Sequence, residues 1–166
     1  MDDCSVAKYS NVVGEGAVSK TELACLNMTR LYSSVTLHMN RWLYVVGGTD
    51  GEDYLKTAIC LDLQTSQFTE APSLNIARYQ HSATVLGGCL YIIGGYGGES
   101  QLDTIEKLDI VNSGMVWNIF TTPGFTARQN AIVCTINNTQ MLVAGGYYNE
   151  NLLSDALIID TAALSS

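Results

Sequence analysis

Three short apolar runs in the chain each close on a pair of glycines. They are Trp42-Leu43-Tyr44-Val45-Val46-Gly47-Gly48, Cys89-Leu90-Tyr91-Ile92-Ile93-Gly94-Gly95 and Gln140-Met141-Leu142-Val143-Ala144-Gly145-Gly146. Runs this short, rich in β-branched and aromatic residues and bounded by turn residues, predict strands rather than helices. The first glycine of the pair advances by 47 and then 51 residues. Arg30, Arg78 and Arg128 precede the runs and advance by 48 and 50 residues. Two markers with one period define a repeat of about 50 residues, the scale of a blade-like supersecondary unit.

Other segments fall into the same register. Residues 20–30, KTELACLNMTR, align without a gap on residues 68–78, FTEAPSLNIAR. Further β-rich runs follow the glycine-pair loops at Ala58–Leu63, Thr104–Ile110 and Ala156–Asp160, and a large aromatic marks another run at Phe68 and Trp117. The second repeat then holds four strands, at Ser82–Leu86, Leu90–Ile93, Ile105–Ile110 and Val116–Phe120. Turns at Gly87-Gly88, Gly97-Gly98 and Asn112-Ser113-Gly114 separate them. Sustained 3.6-residue periodicity with caps occurs nowhere, so almost no helix is expected. Trp42, Tyr44, Tyr91, Trp117 and Phe120 are expected in the core.

The order R-x-x-x-S, L-Y-x-x-G-G, D and W, best kept from Arg78 to Ala127, resembles the kelch motif over nearly the whole chain. The resemblance implies an all-β partial β-propeller of about three four-stranded antiparallel blades. Residues 1–29 read as the outer half of a blade, 30–77 as the first repeat, 78–127 as the second, and 128–166 as a third without its outer strand. Phe68 stands where tryptophan is expected and Leu142 where tyrosine is usual. Three and a quarter repeats do not close a ring of four to eight blades. The chain is therefore a fragment of a longer kelch protein, one half of a dimeric six-bladed ring, or an open arc. An open arc exposes an apolar blade face at each end.

Alternating strand direction puts the three arginines on one face with the loops Thr49–Lys56, Tyr96–Asp103 and Tyr147–Asp155. In kelch-type substrate adaptors the repeat-leading arginine, the residue after Gly-Gly and a small polar residue opening the third strand recur as ligand contacts. Here that resemblance points to Arg30, Arg78 and Arg128, to Thr49, Tyr96 and Tyr147, and to Thr57 and Thr104, with Asp155 in the third copy. A second reading of the arginines is structural, tying one blade's loop to the next. Acidic residues Asp50, Glu52, Asp53, Glu99, Glu106, Glu150 and Asp155 lie in or beside these loops. They read as a rim that attracts a basic partner.

Composition narrows the function. Of 166 residues, 14% are charged and 47% hydrophobic, enough for a core, and the net charge is −8. That charge disfavours nucleic acid or an anionic membrane surface as partner. No apolar run reaches the roughly 18 residues of a membrane span, and Met1-Asp2-Asp3-Cys4 lacks a secretory signal's features. Cytoplasmic location is the expectation. Five cysteines, at 4, 25, 60, 89 and 134, show no C-x-x-C spacing, so reduced thiols are expected, with Cys60, Cys89 and Cys134 as small buried hydrophobes. Neither His38 nor His81 recurs between copies, and Gly14-x-Gly16 and GGYGGES lack the context of a phosphate loop. The expectation is a non-enzymatic protein-interaction scaffold or adaptor with no metal or cofactor, binding a protein or peptide. A homodimer completing the ring remains open. The alternative is a kelch-fold enzyme or carbohydrate-binding protein whose site lies outside these residues.

Overall fold

The structure, a computed structural model, describes residues 5–11, 18–25, 29–112 and 116–164. Cys4, Gly14, Gly16 and the Ser113-Gly114 turn lie outside the described residues. A hairpin comes first, β1 (Ser5–Asn11) against β2 (Val18–Cys25). A four-stranded antiparallel sheet follows: β3 (Ser34–His38), β4 (Trp42–Val46), β5 (Ala58–Asp62) and β6 (Gln67–Ala71), in sequence order. The second has the same order: β7 (Ser82–Leu86), β8 (Cys89–Ile93), β9 (Thr104–Asp109) and β10 (Asn118–Thr121). Each of its strands lies within two residues of the span expected from the sequence.

The third sheet joins β11 (Ile132–Thr135), β12 (Gln140–Ala144) and β15 (Ala156–Asp160). A small hairpin, β13 (Tyr147–Tyr148) and β14 (Asn151–Leu152), interrupts it, and a 3₁₀ turn follows at Thr161–Leu164. Asn149 (φ 43°) and Glu150 (φ 63°) close that hairpin with two left-handed residues, the geometry of a tight two-residue turn. The segment expected as open loop is therefore partly paired.

Two cores hold the three sheets together, and β8 feeds both. Leu90 and Ile92 point towards the first sheet, where they meet Tyr44, Val46, Ala58, Cys60 and Leu74, with Leu108 and Trp117 beside them. Tyr91 and Ile93 point the other way, to Phe125, Met141, Val143 and Ile159. Period-two alternation thus serves two interfaces, because this blade has a neighbour on each side. Trp117 donates its indole N–H to the Pro72 carbonyl (2.8 Å), tying the second blade's edge to the linker before it. Trp42 and Phe120 pack at the margins of the two cores, only partly buried.

The outward faces of the arc are exposed. Val35 and Leu37 occupy the repeat positions that Ala83 and Val85 hold against the first core, yet they face solvent. On the last sheet Ile132 is 72% and Ile158 63% exposed. The burial expected of the three strand cysteines is corrected for the same reason. Cys60 is buried and Cys89 half-buried, but Cys134 lies on this last uncovered face and is exposed.

Blades approach one another closely at the glycine pairs. Gly48 and Gly95 each donate their N–H to the carbonyl of the next blade's arginine, Arg78 and Arg128, at 2.8 Å. Gly47 and Gly94 are left-handed (φ 57° and 62°), and a Cβ on either would strike that same carbonyl oxygen. Gly145 shares the conformation (φ 62°), but a Cβ there meets nothing closer than the Leu153 carbonyl at 3.6 Å. Gly94→Ala therefore combines backbone strain with overlap and is expected to cost about 3 kcal/mol, against about 1 kcal/mol for Gly145→Ala. Urea unfolding of the two variants checks the difference; equal losses would contradict the close approach.

Candidate functional site

Each arginine that opens a repeat enters its own blade and caps the polar ends of two strands. Arg30 donates to the Gly47 carbonyl (2.9 Å), the Thr57 carbonyl (3.0 Å) and the Thr57 hydroxyl (2.7 Å). Arg78 repeats this set on the Gly94 carbonyl (2.8 Å), the Thr104 carbonyl (3.4 Å) and the Thr104 hydroxyl (3.1 Å). Arg128 donates to the Gly145 carbonyl (3.0 Å) and, through both terminal nitrogens, to the Asp155 carboxylate (3.1 and 2.8 Å). The glycine carbonyl ends the second strand and the threonine or aspartate opens the third. A planar fork of donors satisfies the glycine carbonyl that the ladder leaves over and adds a second bond at the threonine carbonyls, which already accept the glycine N–H.

The second copy carries a complete charge pair in the interior. Arg78 donates to Glu106 Oε1 at 2.7 Å, and both side chains are fully buried. Glu106 also accepts from the N–H groups of Asn75 (2.8 Å) and Ile76 (3.1 Å) and from the Asn75 amide (2.9 Å). This corrects the placement of Glu106 in a solvated rim. Its carboxylate faces inward and anchors the segment that leads into Arg78.

Serines four residues beyond the arginines link blade to blade. Ser34 is hydrogen-bonded to His81 Nε2 (2.8 Å), and the Ser82 hydroxyl donates to the Ala131 carbonyl. Burial, with the Arg78 charge adding to it, pushes His81 down from 6.5 to about 3. The ring is therefore neutral and structural across ordinary pH.

Above these clamps, the loop face carries tyrosines. Tyr54 and Tyr79 stack with centroids 5.0 Å apart and planes 8° from parallel. Tyr96 meets both edge-on, at 6.2 and 5.6 Å, and Tyr32 leans on Tyr79 at 6.0 Å. The group spans the boundary between the first two blades, and Tyr79 is pushed above its ordinary value by burial and by its three tyrosine neighbours. Of the four, sequence reasoning had named only Tyr96. Tyr32 and Tyr79 follow the repeat arginines at different offsets and Tyr54 sits inside a loop, so no single repeat position marks them. The nine tyrosines of the chain, set against three phenylalanines, were the available signal.

The remaining expected contacts fall in three groups. Arg78 and Arg128 are fully buried, with their guanidinium groups bonded inside their own blades. Thr57 and Thr104 are their own blades' arginine acceptors. Thr49 and Tyr147 stay on the face with Tyr96. Thr49 accepts from the Gly51 N–H (3.1 Å) and donates to the Asp53 carbonyl (2.8 Å), bracing its loop. Tyr147 pairs with Gln129 within the third repeat, as Tyr96 pairs with Tyr79 in the second.

Withdrawal of the arginines leaves the loops negative. Asp50, Glu52, Asp53, Glu99, Asp103, Glu150 and Asp155 stand there against one cation, Lys56. Asp155 is paired with Arg128, which holds its carboxyl below the usual range; the N–H groups of Asp53 and Glu52 lower Asp50 likewise. At the opposite end of the first two blades an apolar concavity of about 360 Å³ is lined by His38, Trp42, Tyr44, Cys60, Glu70 and Val111, among others. Among the described residues, no three His, Cys, Asp or Glu side chains are grouped to hold a metal ion, and no helix is long and apolar enough to cross a membrane.

The histidine yields a pH dependence with a definite sign. Its folded value lies below its unfolded one, so stability is full above pH 6.5 and falls as the unfolded chain takes up the proton. Between about pH 6.5 and pH 5, before most carboxylates titrate, the loss should reach roughly 1.5 kcal/mol. His81→Gln should flatten that window. Urea midpoints of both proteins over this range check it.

Comparison with curated proteins gives no match. A family model described as the KLHDC2/KLHL20/DRC7 Kelch-repeats domain matches residues 26–165. That span contains all three arginine clamps and all three glycine pairs, the features on which the blades depend. The chain belongs to the kelch-repeat family, and its sheets are blades of a partial β-propeller.

Proposed function

We propose that the chain recognises a protein or peptide through the loop face of its blades, without chemistry of its own. Kelch repeats are in general protein-interaction propeller domains. The observation that carries the reading here is the exposed tyrosine group: Tyr32 is 61% and Tyr54 43% exposed, on braced loops above rigid sheets. Tyrosines supply large contact area at low entropic cost and are favoured at interfaces. Loops on a rigid scaffold are the usual seat of recognition.

Thr49, Tyr96 and Tyr147 belong to this surface, together with Tyr32, Tyr54 and Tyr79. Arg30, only partly buried, borders it. Arg78, Arg128, Thr57 and Thr104 act beneath it, holding the loops in place. The unbalanced carboxylates favour a partner of positive charge. Cytoplasmic residence and an adaptor role fit this reading and belong to the same proposal.

Selection of a displayed random-peptide library tests it. Binders to the native protein are expected to lose at least tenfold in affinity on a Tyr54→Ala/Tyr96→Ala variant of unchanged melting temperature. Enriched peptides that bind both proteins equally would place recognition elsewhere.

A further inference from the structure

The tyrosine group has three properties that together select a ligand. The first is its shape. Tyr54 and Tyr79 present stacked rings, and Tyr32 offers a third ring beside them with most of its surface free. The second is its seat. The Gly97-Gly98 loop of the second blade lies against Tyr54, and a Cβ on Gly98 (φ 101°) would come within 3.1 Å of the ring. This second glycine pair of GGYGGES thus makes room for a ring from the preceding blade. The third is its field. Asp50, Glu52 and Asp53 immediately precede Tyr54 and Glu99 follows Gly98, while Arg78 and Arg128 are buried and paired with Glu106 and Asp155, leaving the half-buried Arg30 at the border.

Tyr32 adds an independent sign. It occupies a left-handed position (φ 55°) that recurs at Gln80 (φ 53°) and Asn130 (φ 54°), two residues past each arginine. The repeat uses this conformation to pass hydrogen bonds between blades: Gln80 N–H to the Tyr32 carbonyl (3.0 Å) and Asn130 N–H to the Gln80 carbonyl (2.7 Å). Asparagine suits such a backbone; a bulky aromatic is an outlier there. The ring at Tyr32 is therefore held at a conformational cost that blade packing does not require.

Resting on the loop-face reading above, the geometry points to a more specific role: the tyrosines at the first blade boundary form a receptor for an arginine side chain of the partner. A guanidinium is planar, is less strongly hydrated than an ammonium, and stacks on aromatic faces while its N–H groups turn to carboxylates. Negative ring faces and the neighbouring acidic loops attract the same group. Lysine meets the charge requirement but not the planar one, and a neutral or acidic segment meets neither.

Fluorescence polarisation tests this with a labelled heptapeptide of glycine, serine and two arginines, beside the same peptide carrying lysine, alanine or glutamate in place of arginine. The arginine peptide should bind, the lysine peptide several-fold more weakly, and the other two at least tenfold more weakly. Tyr54→Ala and Tyr32→Asn should each weaken the arginine peptide about tenfold or less, but measurably. Tyr32→Asn places a residue suited to the left-handed backbone, so its effect does not come from misfolding. Ring stacking should also shift the guanidinium and side-chain methylene resonances of the peptide upfield.

Equal binding of the arginine and alanine peptides would overturn the inference. So would arginine binding that survives both tyrosine variants and vanishes only with salt, since that describes the acidic loops alone. If the arginine peptide fails while library-selected neutral peptides still require Tyr54 and Tyr96, the guanidinium inference falls and the loop-face reading stands. If neither class requires the tyrosines, both fall.

Discussion

A buried guanidinium that caps two strand ends is the interaction on which the arc depends. Among the described residues, the glycine carbonyl that ends each second strand takes no ladder bond, whereas the carbonyl that opens the third strand accepts that same glycine's N–H. Leaving the glycine carbonyl buried and unpaired would cost about 1–3 kcal/mol. Arg30, Arg78 and Arg128 fill this place in all three blades, through Gly47 and Thr57, Gly94 and Thr104, and Gly145 and Asp155. The carbonyls of Arg78 and Arg128 then receive the N–H of the preceding blade's second glycine. One residue type thus closes a blade with its side chain and joins two blades with its backbone. A buried cation requires compensation, and the second blade supplies it with Glu106, itself held by the Asn75–Ile76 segment.

This use of the arginines decides the character of the surface. Three of the eight basic residues of the chain serve the clamps, and Arg41 is engaged with Asp62 and Trp42 beyond the strand ends opposite the loop face. The loops keep their carboxylates and tyrosines. A scaffold that spends its cations on internal acceptors presents an acidic, aromatic face as a consequence. On the proposed reading, specificity rests on ring geometry and charge rather than on the arginines.

Much of the fold was legible because strand alternation and turn residues act locally. The glycine pairs and the arginines gave the period, and the structure shows why they keep step: each arginine's fork lands on a glycine carbonyl of its own blade, and the carbonyls of Arg78 and Arg128 receive the preceding blade's glycine N–H. Glu106 was misjudged for a definable reason. Within Ile105-Glu106-Lys107-Leu108 a carboxylate looks outward-facing, but a middle blade has no outward face, and its partners Asn75 and Ile76 come from about 30 residues away. The tyrosine group was largely hidden for the same kind of reason. Tyr32, Tyr54, Tyr79 and Tyr96 occupy four different repeat positions and meet only where two blades abut. Exposure of Cys134 depends on what lies against the last sheet, which strand periodicity does not encode.

The clamp and its carboxylate form one unit, and a double-mutant cycle addresses that most directly. Unfolding free energies would be measured for Arg78→Met, for Glu106→Gln and for both together. Each single change strands a buried polar partner and should cost on the order of 3–5 kcal/mol, while the double variant should cost clearly less than the sum. Additive losses, or small losses from either change alone, would contradict the account.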